Sequence, residues 1–263
     1  MMQRHPKSAA PALTRRFAVT LEYDGAAFAG FQLQPNAETV QAVLERALKR
    51  LFKEERRVAG ASRTDSGVHA RGQVAVFELA HALPPARLTA ALNSALPPAA
   101  RVVACRRVPA GWDPRQRARR KTYRYLVFNR PVFSPLWIGR AWQVAQPLDL
   151  DAMRRAARHL LGRRDFSAFR AAGCEARHPV RTLLQAGVQR RGPLLTFTFT
   201  ADAFLYKMVR ALAGTLVWVG QGRFKPADIP RILRGRDRAQ AGPTAPACGL
   251  YLEKIVFGRK SGD

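Results

Sequence analysis

The stretch "LLTFTFT" alternates apolar and polar side chains, which predicts a strand with one buried face. In "TVQAVLERALKRLF" the spacing changes. Val40, Val43, Leu44, Ala47, Leu48 and Leu51 fall on one helical face, with Thr39 placed to cap it. Before that helix "FAVTLEYD", from Phe17, reads as a strand. After it a short strand near Arg57–Ala61 leads into a glycine-flanked turn, and "QVAVFEL" leaves the turn as another strand. "ARLTAALNSAL" follows Pro84-Pro85 as a helix and stops at Pro97-Pro98, and "RVVACRRV" is the next strand. The order is β-α-β-β-α-β.

That order then recurs. "TYRYLVF" predicts a strand, and Asp151–Leu161 a helix with Met153, Ala156, Ala157, Leu160 and Leu161 inward and Gly162 as its stop. "TLLQAGVQR" and "LLTFTFT" form a hairpin across Arg191-Gly192-Pro193. A long helix from about Phe204 to Val219 and a strand "LYLEKIVF" complete the set. The elements repeat although the sequence does not. The expectation is an α+β protein of two ferredoxin-like (βαββαβ) halves sharing an extended, mostly antiparallel sheet. A basic tail over 1–15 precedes an N-terminal half, 16–110, and a C-terminal half, 111–263. The boundary falls near Gly111, where "GWDPRQRARRKTY" crosses between them.

Charge changes the picture. Lys and Arg number 45 against 18 Asp and Glu, a formal +27, a balance that attracts polyanions and makes nucleic acid the default partner. The other reading is an arginine-rich genome loading any surface. With nucleic acid as partner, the cleft between the halves becomes an RNA cleft. Cys105, Cys174 and Cys248 are isolated, with no CxxC or HxxxH pair beside them, so neither a zinc site nor a disulfide framework is expected. "MMQRHPKSAAPALTRR" lacks the apolar segment of a secretory signal, and nothing approaches the ~20 apolar residues of a membrane span. A soluble, cytoplasmic protein is expected.

Three places could carry chemistry. In "GASRTDSGVHARGQVAVFE" Asp65 sits in a glycine-flanked turn between arginines. A structural turn accounts for Asp65 and Gly67, but a tight loop under two strands also presents a nucleophile to a cleft. "RQRARRKTYRY" packs Arg115, Arg117, Arg119, Arg120 and Lys121 ahead of Tyr123 and Tyr125. That is either a solvated face or a phosphate track leading to base-stacking aromatics. Arg210, in "FLYKMVRALAG", points away from the apolar stripe of its helix, either to solvent or toward a carboxylate across the cleft. A zinc deaminase would need H-x-E with P-C-x-x-C, and a phosphate loop GxxxxGK[ST]; neither occurs.

These residues carry a resemblance. From "LEYDGAAFAGFQLQ" to "GLYLEKIVF" the chain resembles the TruA-type tRNA pseudouridine synthases. The family's G-R-T-D-x-G-V-H appears as "SRTDSGVH", its K/R-x-Y-R-Y as "KTYRY", its D-F-x-x-F-R as "DFSAFR" and its F-x-x-x-M-V-R as "FLYKMVR". Ser62 stands where the family usually has Gly, Phe31 where it has Trp in G-W-Q, and Gln116 and its neighbours depart from H-x-R-F-S, although Arg115 matches. The resemblance implies a cofactor-free, metal-free isomerase that converts uridine to pseudouridine on the 3′ side of the tRNA anticodon stem-loop. Asp65 matches the catalytic aspartate, Arg210 the arginine paired with it, and Tyr123 the tyrosine that contacts the base. Arg63 is expected to reach RNA phosphate or the extruded gap, and Arg115, Arg119, Arg120 and Lys121 to bind RNA. The resemblance further implies a homodimer with tRNA bound across both subunits. A non-catalytic RNA-binding protein using the same cleft is the alternative.

Overall fold

In the computed structural model, which describes residues 14–81 and 83–258, the first strand β1 runs Arg15–Tyr23. The remainder of the expected tail, residues 1–13, lies outside the described residues. Helix α1 (Val40–Phe52) begins where expected. Thr39 Oγ1 accepts from the Ala42 N–H at 3.2 Å, supplying one of the partners a helix start lacks. β2 is only Ala59–Gly60; then come β3 (His69–Leu79), α2 (Pro85–Ala95) and β4 (Ala100–Val108). A short helix α3 (Pro114–Arg117) leads into β5 (Ala118–Asn129), followed by β6 (Trp142–Val144) and α4 (Leu150–Arg158). β7 (Gly162–Asp165), β8 (Val180–Arg191), β9 (Leu194–Ala201), α5 (Met208–Gly220), α6 (Asp228–Gly235) and β10 (Leu250–Phe257) complete the described chain.

One large, mostly antiparallel sheet carries all of this, in the order β4-β1-β3-β10-β5-β9-β8-β7, with β2 on β3 and β6 on β5. The protein is therefore α+β. The join is β10. It pairs antiparallel with β5 along most of its length and parallel with β3 only at Tyr251–His69 and Leu252–Ala70. Alternation in β9 holds to the end: Leu195, Phe197 and Phe199 are wholly buried, while Thr196, Thr198 and Thr200 keep partial exposure. A single apolar core runs beneath the sheet, from Phe17 and Leu44 to Phe199 and Leu212. Cutting a fully buried leucine such as Leu212 to Ala would cost about 2–5 kcal/mol.

Several expected boundaries move. The helix expected from Phe204 begins at Met208, because Lys207 has φ 56°, a left-handed conformation that no helix can run through. Residues 204–207 turn instead along one wall of a cleft. The helix expected to reach Leu161 ends at Arg158; Leu160 remains buried, and Gly162 (φ +92°) opens β7 rather than stopping the helix directly. Helix α6, outside the repeated order of elements, carries Pro230. The proline lies in the first turn, where its missing N–H would have had no partner anyway.

Candidate active site

The loop from Ala61 to Val68 is held mainly by its backbone. Ala61 N–H donates to Val74 C=O at 2.8 Å, and Phe31 N–H donates to Thr64 C=O at 3.1 Å. Gln73, wholly buried on β3, donates from Nε2 to Ser62 C=O at 2.6 Å and accepts from Ser62 N–H at 3.3 Å. Beneath them the Tyr23 hydroxyl lies 2.8 Å from Thr64 Oγ1 in a buried hydrogen bond. The tight turn closes from Val68 N–H to Asp65 C=O at 3.1 Å, with Gly67 at φ +76°. Gly30 allows the close approach behind it: a Cβ there would sit 2.7 Å from Thr64 O. The turn is thus made without the Asp65 carboxylate.

That carboxylate faces the other half of the molecule. Arg210 Nη1 donates to Asp65 Oδ2 at 3.0 Å, and Arg210 Nε is anchored on Ala245 C=O at 2.7 Å. The Asp65 and Arg210 side chains are 23% and 15% exposed, so the pair is accessible but well shielded. Of the two readings of Arg210, solvent or carboxylate, the carboxylate is the one realised. The residues lie 145 apart in sequence, and the β3–β10–β5 junction brings them together.

The pair opens on a cleft of about 830 Å³ between the loop on one side and residues 172–176 and 204–210 on the other. Tyr123 lies in its floor, 6% exposed, with Phe204 edge-on at 5.2 Å and the Ser62 Oγ 3.0 Å from its hydroxyl. Burial, opposed by the Ser62 bond and reinforced by the charge of Asp65, pushes the Tyr123 phenol up to about 12, so its proton stays on at neutral pH. Tyr125, two positions on, is core: it is fully buried with its hydroxyl on Pro246 C=O at 2.7 Å.

The basic run divides. Arg115 Nε donates to Gly60 C=O at 3.0 Å, and Lys121 Nζ donates to Ala61 C=O at 2.9 Å and to Ser62 Oγ at 3.2 Å, so both brace the Asp65 loop while lining the cleft. Burial, with Arg115 nearby, brings the Lys121 ammonium down to about 8. Arg119 and Arg120 are exposed at the start of β5, where its register with β10 slips. Arg63 reaches across the cleft to Glu175, 2.6 Å away, in an exposed ion pair. His69 takes no part: it is buried and stacked on Tyr251 at 4.5 Å, with Nε2 2.9 Å from Gly139 O. Among the described residues no three His, Cys, Asp or Glu side chains gather as a metal ion would require, and no helix is long and apolar enough to cross a membrane.

Gln73, Tyr23, Glu175 and Phe204 were not anticipated. Gln73 alone left a signal, as a polar residue in step with the inward Ala75, Phe77 and Leu79 of its strand.

The chain is similar to known proteins over most of its length. A family described as tRNA pseudouridine synthase matches residues 19–115 and 156–258. A protein of Myxococcus xanthus named tRNA pseudouridine synthase A is 48% identical over 243 residues, covering 92% of each chain. Proteins of the same name are 46% identical in Moorella thermoacetica, over 91% of this chain and 98% of that one, and 44% identical in Pelobacter propionicus, over 92% and 100%. A carboxylate and a guanidinium held together at the floor of a basic cleft, with matches of this extent on both sides of it, place the chain in one group: it belongs to the tRNA pseudouridine synthase family.

Proposed function

We propose that the chain isomerises uridine to pseudouridine in tRNA with Asp65 as the nucleophile. The observation that carries the assignment of Asp65 is its contact with Arg210, 3.0 Å across the cleft, in a turn that does not need the carboxylate for its own closure. The reaction breaks the bond from N1 of uracil to ribose and joins carbon 5 of the same base to that carbon. Carbon 5 loses its proton and N1 gains one. Product and substrate are isomers, so the step calls for no electron carrier or group donor. It does call for a carboxylate able to attack covalently while the detached base turns. Arg210 aims Asp65 and offsets the cost of desolvating its charge when a base covers it. Tyr123 lies under the base. Extruding the uridine costs a few kcal/mol, and stacking on an aromatic returns about 1–3 kcal/mol.

In this reading Arg63, Arg119 and Arg120 face the RNA and supply the salt-dependent part of binding, while Arg115 and Lys121 reach it from the cleft wall, where they brace the Asp65 loop. The target is a uridine on the 3′ side of the anticodon stem-loop, and the working form is a cytoplasmic homodimer. Each half is a ferredoxin-like unit, 16–110 and 111–263. The strand orders support that reading: β4-β1-β3 with β2 on β3 in one half, and β10-β5-β9-β8 in the other. The test is release of label from carbon 5 of uridine in unmodified tRNA. Tight tRNA binding by the wild type with no release would refute the assignment and favour a non-catalytic RNA-binding protein.

A further inference from the structure

Tyr123 has one hydrogen-bond partner for its hydroxyl among the described residues, Ser62 Oγ at 3.0 Å, and Ser62 Oγ has one other, Lys121 Nζ at 3.2 Å. An ammonium only donates, so while Lys121 is charged Ser62 accepts from it. Ser62 and Tyr123 are 8% and 6% exposed, and a buried hydroxyl proton without an acceptor is costly. With the Tyr123 hydroxyl at the cleft floor, where a substrate oxygen can accept its proton, the Ser62 proton goes to Tyr123 Oη. The Tyr123 proton is then left without a protein acceptor and points into the cleft beside Asp65. We propose that Lys121 and Ser62 are positioning residues that direct the Tyr123 hydroxyl as a donor to an oxygen of the bound base, and that loss of a proton from Lys121 lets the chain reverse. A neutral amine accepts; Ser62 can then donate to Lys121 and Tyr123 to Ser62, turning the phenol proton away from the substrate. The proposal rests on the cleft being the site of uridine isomerisation.

The ammonium is set up to lose its proton within a usable range. Burial with Arg115 nearby holds it at about 8, so it is charged below that pH and neutral above it. Strands β9 and β10 flank it with Ala201 and Ile255, which do not titrate. The other ionisable groups around the cleft are Arg63 and Asp65 from the loop, Arg115 from α3, Cys174 and Glu175 from the facing wall, and Tyr206, Lys207 and Arg210 at the start of α5. Tyr123 itself, at about 12, lies beyond the window.

The experiment measures single-turnover release of label from carbon 5 of uridine in unmodified tRNA between pH 6 and 10, in parallel with tRNA affinity. Wild type should show an alkaline fall in rate centred near 8. Ser62→Ala removes only an oxygen; it should lower the plateau rate about three- to tenfold, the worth of one neutral hydrogen bond, and abolish the fall, with affinity unchanged. Lys121→Arg stays charged throughout and should lose the alkaline fall. Cys174→Ser should leave the fall in place. The proposal is overturned if Ser62→Ala keeps both the wild-type rate and the fall, or if the fall moves with Cys174 instead. Absence of label release from the wild type at every pH would instead refute the isomerase reading beneath it.

Discussion

Replacing Asp65 with Asn separates the nucleophile from the turn residue. The variant preserves shape and leaves an amide oxygen able to accept from Arg210, while removing the charge and the capacity to attack. At 3.0 Å and an effective dielectric near 20, the gross attraction in the native pair is about 5.5 kcal/mol, most of which desolvation offsets. The net difference is closer to that between a charge-assisted and a neutral hydrogen bond, about 1–2 kcal/mol. For a chain of this size that lowers the melting temperature by roughly 2–8 °C. The loop should persist, since Gln73, Tyr23, Phe31 and the Val68-to-Asp65 backbone bond hold it without the carboxylate.

Affinity for tRNA should stay level or rise slightly. One negative charge about 10 Å from a phosphate in water costs about 0.4 kcal/mol, a factor near two. Release of label from carbon 5 should drop to background. A tenfold change is only about 1.4 kcal/mol, which a slightly misaimed side chain could account for, whereas loss of the attacking group removes the reaction path itself. Turnover within tenfold of wild type in a well-folded Asp65→Asn protein would refute the assignment.

Three further outcomes follow from the same geometry. Arg210→Met should cut turnover about 10²–10³-fold, as loss of a positioned cation in a shielded site does, with tRNA affinity nearly kept; Arg210→Lys should recover only part, lacking the fork that spans Asp65 and Ala245, and a normally active Met variant would make the contact incidental. Arg119→Ala with Arg120→Ala should flatten the log–log salt dependence of tRNA binding by about one unit per lost phosphate contact without altering the rate of bound substrate; an unchanged slope would make both residues a solvated face. Gln73→Leu leaves the Ser62 N–H and C=O without partners and should cost about 2–4 kcal/mol by denaturant unfolding, with turnover lowered at temperatures where the protein is folded; an unaltered unfolding midpoint would show that the loop does not depend on it.

How much of this was legible depended on range. Helix α1 and the β8–β9 hairpin could be read because spacing, cap and turn all act within a few residues, and Thr39 and Gly192 sit where that reading puts them. The start of α5 could not, because Lys207 adopts a left-handed φ under tertiary constraint with no local signal. Asp65, Tyr123 and Arg210 each stood out singly and by resemblance. Their meeting depends on two short parallel pairings of β10 with β3, which no periodicity encodes. The basic run read as one track because sequence cannot show that Arg115 and Lys121 bend inward to three successive carbonyl and hydroxyl groups at Gly60, Ala61 and Ser62.

The two clearest departures from the family pattern lie against that same segment. Phe31, where the pattern has Trp, is 2% exposed, and its ring covers Gly60 so closely that a Cβ there would lie 2.3 Å away. Ser62, where the pattern has Gly, adds a hydroxyl between Lys121 and Tyr123. Both side chains are buried. A smaller ring at 31 and a new hydroxyl at 62 change how the Asp65 loop and the Tyr123 phenol are seated from beneath. Their effect should therefore appear in the rate of the bound substrate rather than in which RNA is bound. A combined Phe31→Trp, Ser62→Gly protein should keep the salt dependence of tRNA binding and lose the alkaline fall in rate.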